Sequence, residues 1–251
     1  MKALIYTVTS FLITKLLWQV VVWAGEFEPA LFPSPFDVAK AFGEIVVDGT
    51  LAAGITSSLF RFAIGYLISV VLGVGLGLLL GNVNILFRLT NPVIQMIRPI
   101  APVAWMPFIV LLIGIGDAPA IVIIFLAGFF PVLLTTARGV HTVDVTYLKV
   151  AANFGLSRLK TVFGIILPAV FPQIANSLHI ALGTSWIFLV SGEMVGTQSG
   201  LGYMIIDARN NLRIDILLAT MIVIGVIGFC LDYLIGKFER KVLEHYGVHR
   251  S

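Results

Sequence analysis

The chain reads as an all-α polytopic membrane protein of about six transmembrane helices, and three observations carry that reading. Hydrophobic residues make up 59% of its 251 residues and charged residues only 12%. The mean hydropathy is +1.03, whereas a soluble domain carries about 25% charged residues, so most of this surface meets lipid. Apolar stretches of roughly 20 residues, the length a bilayer core requires, recur from end to end. They predict one domain over residues 1–251 and no soluble head on an anchor.

The first span covers residues 3–24, after Lys2. Lys15 interrupts it, and it ends in Trp23-Ala24-Gly25-Glu26 without a small-x-small cleavage pattern. It therefore reads as a retained membrane helix and not as a secretory signal. The segment from Glu26 to Pro35 is too charged and proline-rich to span. A second span covers residues 56–81, where Gly65, Gly73, Gly75 and Gly77 predict close approach of neighbouring helices. The third (92–115) and fourth (118–137) are separated only by Gly116-Asp117 and form a tight hairpin. The fifth covers 171–194, and the sixth covers 214–236 before the charged tail Lys237-Phe238-Glu239-Arg240-Lys241.

Basic residues near helix ends set the orientation, because cytoplasmic loops carry the excess of Lys and Arg. With six spans, the side of the two termini receives Lys2, Arg88, Arg98, Arg138, Lys149, Arg158, Lys160, Lys237, Arg240, Lys241 and Arg250. The other side receives only Lys40, Arg209 and Arg213. Eleven against three places both termini and the loop 138–168 in the cytoplasm.

Composition also excludes function classes. A net charge of +3 spread over 16 basic and 13 acidic residues makes no nucleic-acid-binding face. One cysteine, Cys230, supports neither a disulfide framework nor a thiol metal cluster. His179 has no second histidine or carboxylate at helical spacing, and His141, His245 and His249 are scattered, so no metal site is expected. Gly73-x-Gly75-x-Gly77 lies in an apolar helix with no strand before it and no Gly-Lys-Ser/Thr, so nucleotide is bound elsewhere. No Ser-His or paired-Asp arrangement lies within the spans, so no enzyme is expected. An ion-coupled secondary transporter, the alternative, needs ionisable relays at mid-membrane depth. Only Glu193, Arg61 and Lys15 are available, and none is central.

Several residues are candidates for a translocation path or gate. Glu193, near the outer end of the fifth span, is either a path residue or the partner of a base such as Arg61; the pairing is the favoured expectation. Arg61 could draw an anion, although snorkelling is the commoner fate at a helix head. Trp105, Met106 and Pro107 open the third span, and Pro102 and Pro107 break regular backbone, which is tolerated at membrane depth only in protein or at a cavity. Ser185, Trp186 and Ser191 could donate hydrogen bonds to an oxyanion without carrying charge, or could bond neighbouring helices.

The loop 138–168 is long for this chain, and long ordered loops are commonly functional. Within it, 145–154 reads as a short amphipathic helix broken by Gly155, with Ser157 as the N-cap of a second short helix. Such a knob is a grip for a soluble partner. Lys149-Val150-Ala151-Ala152-Asn153-Phe154-Gly155-Leu156-Ser157, followed by Ile165 and Pro168, resembles the EAA loop of binding-protein-dependent ABC importer permeases, written E-A-A, three residues, G, nine residues, I, two residues, P. Lys149 stands at the glutamate position and Val150 at the first alanine. Leu31-Phe32-Pro33-Ser34-Pro35, the Arg98 to Pro107 segment, Gly114-Ile115-Gly116, Gly192-Glu193-Met194 and Gly200-Leu201-Gly202-Tyr203 are similar to the branch for nitrate, bicarbonate, taurine and aliphatic sulfonates.

That resemblance implies the type I ABC importer permease fold, in a bacterial plasma (inner) membrane. It implies a homodimer with two cytoplasmic ABC ATPase subunits, which bind the ATP and Mg, and an extracytoplasmic solute-binding protein that delivers a small anion. Ala151, Ala152, Asn153, Phe154, Gly155, Leu156, Ser157 and Arg158, with Lys149 and Val150, would form the coupling helix on the ATPase. The permease itself would bind no cofactor.

Overall fold

The computed structural model describes residues 2–25 and 31–245; Glu26, Glu28 and Pro29 of the first linker, and His249 and Arg250 of the tail, lie outside them. The described residues form helices α1 (Lys2–Ala24), α2 (Pro35–Val47), α3 (Thr50–Asn82), α4 (Asn84–Ile97), α5 (Met106–Ile113) and α6 (Asp117–His141). After them come α7 (Val145–Asn153), α8 (Arg158–Thr161), α9 (Leu167–Gly196), α10 (Leu201–Asn210) and α11 (Ile214–His245). No strand is present among them.

Among the described residues, four stretches are long and apolar enough to cross a membrane: Thr50–Asn82, Asp117–His141, Arg158–Gly196 and Ile214–Lys241. The expected third span is not one straight helix. It is α4 followed by Pro102–Ile113, bent by 86°. Pro99, Pro102 and Pro107 withhold backbone N–H groups and bias the residues before them away from helix, so the chain turns there. In α1, 23 residues long, the described apolar stretch is Leu12–Ala24.

The helices divide between two compact units, residues 1–58 with 199–226 and residues 59–198 with 227–251. In the first unit, α2 buries one stripe, Val38, Ala41 and Ile45. This helix was not expected from the proline-rich linker. Ser34 and Asp37 form a capping box around Pro35, at 3.3 Å from the Asp37 N–H to the serine hydroxyl and 3.0 Å from the Ser34 N–H to the carboxylate. That pattern starts a helix wherever an apolar stripe follows.

In the second unit, α3 packs on α6 through a glycine seam. A Cβ on Gly65, Gly73, Gly77 or Gly81 would come within 2.5–2.9 Å of Ile124, Val132, Thr136 or Val140. The backbones therefore approach as closely as small residues permit. Gly75, expected in the seam, faces open space. Gly81 takes part instead, because residues four apart share a helix face and residues two apart do not.

Candidate functional site

The loop 138–168 folds as a capped, two-part knob. Asp144 caps α7 by accepting from the Thr146 N–H at 2.7 Å, and that bond holds its carboxyl below the usual carboxylate range. The helix ends at Gly155, whose φ of +63° is the left-handed conformation. The Gly155 N–H donates to the Ala152 carbonyl at 3.0 Å and the Leu156 N–H to the Ala151 carbonyl at 3.1 Å. This pair of reverse bonds is a Schellman cap, with glycine where a Cβ would be strained. Ser157 accepts from the Lys160 N–H at 3.5 Å and starts α8, as expected.

The second half of the knob is not a separate short helix. After one turn, α8 passes through a wider π-type turn, Val162–Ile166, straight into α9. The result is a continuous apolar rod, Arg158–Gly196, of 39 residues.

The amphipathic pattern of α7 sorts its faces. Ala151 is buried, and Leu148 packs with Val143 and Val162 against the core of Leu78, Val140, Ile166, Val170 and Ile174. Lys149, Val150, Ala152, Asn153, Phe154, Gly155, Leu156, Ser157 and Arg158 are all exposed. Phe154 is 79% exposed, and Tyr147, Val150, Leu156 and Leu159 add to the same apolar display. Exposed apolar surface set among polar residues is typical of protein–protein and membrane contacts. Of the coupling residues inferred from sequence, only Ala151 points inward.

The second constellation is a buried arginine between two carboxylates. Arg61 on α3 is 3% exposed at its side chain and contacts Glu193 on α9, 0% exposed, at 2.6 Å. Its Nη2 and Nε reach Oδ1 of Asp117 at 2.6 and 2.7 Å. Asp117 is half open to solvent and opens α6, where the helix dipole favours an acid. The pairing of Glu193 with Arg61 is present. Snorkelling is not, because Arg61 is held inward by an acid that cannot itself reach water. Asp117 was missed as the second partner, since only the fold brings α6 beside the start of α3.

The remaining path candidates do not converge on one lining. Met106 is buried with Ile109 and Ile123, and its Cε occupies the space left by the missing side chain of Gly196. Trp105 is half-buried beside Phe108, and Pro107 is exposed. Ser185 is buried and donates to the Ile124 carbonyl at 3.1 Å, which makes it a helix-to-helix bond. Trp186 is buried edge-on to Phe62, in room that Gly228 provides. Ser191 is half-buried on another face of α9.

His179 is not isolated. Its ring nitrogens contact Asp232 at 2.7 Å and Glu239 at 2.9 Å. The signal was in the sequence as two acids seven residues apart on one face of the last helix. No group of three or more His, Cys, Asp or Glu fit to hold a metal ion is present among the described residues.

Comparison with known proteins agrees with this geometry. Residues 69–244 match the family described as binding-protein-dependent transport system inner membrane component. A Bacillus subtilis protein provisionally described as an aliphatic sulfonates transport permease is 32% identical over 91% of this chain and 83% of its own. The taurine transport system permease protein of Escherichia coli is 30% identical over 92% and 86%. A nitrate import permease protein of Leptolyngbya laminosa is 31% identical over 94% and 87%. In fold, an inward-facing structure of the MetNI methionine ABC transporter superposes with a TM-score of 0.67 at 18% identity, covering 77% of this chain and 96% of that one. The chain belongs to the binding-protein-dependent transport system inner membrane components and is a permease subunit of an ABC importer.

Proposed function

We propose that this permease carries a small organic or inorganic anion of the sulfonate, taurine, nitrate or bicarbonate class, and that the knob around Phe154 is where a cytoplasmic ATPase drives it. The observation that carries the coupling role is the exposed apolar display of Val150, Phe154, Leu156 and Leu159 on a glycine-capped turn. The knob is joined without a break to a membrane-length rod, so a push on it is delivered to the membrane helices as a rigid displacement. The working assembly is a homodimer of this chain on two ATPase subunits that hold ATP and Mg. An extracytoplasmic solute-binding protein serves it, and both termini are cytoplasmic. The excess of basic residues on the side of the termini and the loop 138–168 supports that orientation. Cargo class rests on the taurine and nitrate permeases named above. In this reading Trp105, Pro107 and Ser191 are the candidates for the walls of the path, the Arg61 cluster, Met106, Ser185 and Trp186 pack the helices behind them, and no bond chemistry takes place here.

The test is co-purification of the tagged protein from its native membranes with a soluble ATPase in fixed ratio, repeated with Phe154→Asp. The expected result is capture by the wild type and at least tenfold less capture by the variant at equal membrane insertion. Equal capture by both refutes the knob as the seat. A bulky residue at Ala151 is the poorer probe, because Ala151 is only 2% exposed and its replacement disturbs the packing of α7 first.

A further inference from the structure

One residue of the first unit is held in a conformation it does not favour. Leu212 has a φ of +56°, the only positive φ outside glycine among the described residues. It closes α10 in the manner of a Schellman cap. The Leu212 N–H donates to the Arg209 carbonyl at 3.1 Å, and the Arg213 N–H to the Ala208 carbonyl at 2.8 Å. Glycine or asparagine usually takes this position, because an L side chain there crowds the backbone. Burial does not compensate the leucine, which is 69% exposed.

The turn is also clamped. Asn211 Nδ2 donates to the Asp207 carbonyl at 2.9 Å. Arg213 is fixed between Glu44 of α2 at 2.8 Å and Asp215 at 3.0 Å. Leu212 therefore stands on a rigid crest, beside a cleft of about 370 Å³ that Pro33, Lys40, Glu44 and Asp215 also line. Its sequence neighbours Asp207, Arg209, Asn210, Asn211 and Arg213 are polar, and Ala208 and the half-buried Ile214 are apolar. Leu212 is the one apolar side chain among the exposed residues of its turn, Asp207, Arg209, Asn210, Asn211 and Leu212. It has the anatomy of an interface anchor: a preorganised hydrophobe with a polar rim.

We propose that Leu212 is the anchor on which the extracytoplasmic solute-binding protein seats. This rests on the orientation given under the proposed function, which puts the turn outside. Residues 31–58 and 199–226 carry Asp37, Glu44, Asp48, Asp207 and Asp215 against Lys40, Arg209 and Arg213, five acids to three bases. The complementary surface is an apolar depression ringed by basic side chains. Strain kept at an exposed crest is consistent with that use, since strained residues cluster at ligand clamps.

The experiment uses the assembled transporter in lipid nanodiscs and its cognate solute-binding protein. Leu212→Gly is expected to raise the Kd for that protein at least tenfold, with a melting temperature equal to or above that of the wild type, because glycine suits the turn. Leu212→Met is expected to stay within threefold. A photo-crosslinking residue at Asn211 should label the binding protein. A Kd for Leu212→Gly within twofold of wild type, or a crosslink only to lipid or to a second copy of the chain, overturns the proposal. If the wild type fails to bind the protein while the ATPase still co-purifies, this inference falls and the coupling reading stands. If no ATPase co-purifies, the coupling reading falls on separate evidence.

Discussion

Two turns in this molecule have the same hydrogen bonds and opposite chemistry. At the end of α7 the left-handed residue is Gly155, and the apolar display is carried by residues beside it in relaxed conformations. At the end of α10 it is Leu212, and the strained residue is itself the display. The same cap can therefore serve as a hinge point for its neighbours or as a pedestal for its own side chain. Each unit also holds an arginine between two carboxylates: Arg61 between Glu193 and Asp117, buried, and Arg213 between Glu44 and Asp215, partly exposed. The difference in solvent decides what each cluster is worth.

The buried cluster should give the largest effect. Arg61→Met leaves Glu193 uncompensated in the interior and is expected to cost about 3–5 kcal/mol, read as a lowered melting temperature in detergent. A loss as small as that of the exposed cluster would erase the contrast. Next comes Gly155→Val, which forces a β-branched residue into the left-handed region at about 1–3 kcal/mol and should cut transport-coupled ATP hydrolysis at least tenfold. Gly155→Asn, tolerated at that φ, should restore most of it. In the opposite sense, Leu212→Gly relieves roughly 1 kcal/mol of strain and should raise the melting temperature by about 2–4 °C in a chain of this size. Arg213→Gln should cost under about 1 kcal/mol, as for exposed pairs, seen in the same melting curves.

Smallest is the pH response of the two turns. Arg213 holds the Glu44 carboxyl below its ordinary range, and the Thr146 N–H does the same for Asp144. Folded values below the unfolded ones mean that this stabilisation is complete at neutral pH and is lost as pH falls through the depressed values. The protection factor of the Thr146 amide, with the intrinsic pH dependence of exchange divided out, should therefore fall only in acid, and Asp144→Asn should flatten that profile.

The elements most legible in sequence were those whose signal is local. The glycine after α7, the serine before α8 and the spacing to Ile165 and Pro168 could be read because a cap and a turn are decided within a few residues. The first linker also held a local signal, Ser34-Pro35-Phe36-Asp37, but its prolines and charges argued more loudly for a loop. The break at Pro99 to Pro107 was visible as a weakness and not as an 86° bend, since a proline shows where a helix yields but not in which direction. Asp117 beside Arg61, and His179 between Asp232 and Glu239, were illegible singly. Those pairings span 53 to 60 residues, and only packing chooses them. Ser185 and Trp186 fit an oxyanion as well as a neighbouring helix until the Ile124 carbonyl and Phe62 were found against them.

The unbroken stretch from Arg158 to Gly196 has a kinematic consequence. At 1.5 Å per residue, its 39 residues measure about 58 Å, nearly twice the roughly 30 Å of hydrocarbon in a bilayer. Glu193 rides near one end of this beam and the knob is fused to the other, while the two helices that complete the ion pair, α3 and α6, are separate parts. A tilt of the beam against them must stretch the 2.6 Å link to Arg61, and a cycle that preserves the link must swing all three helices together.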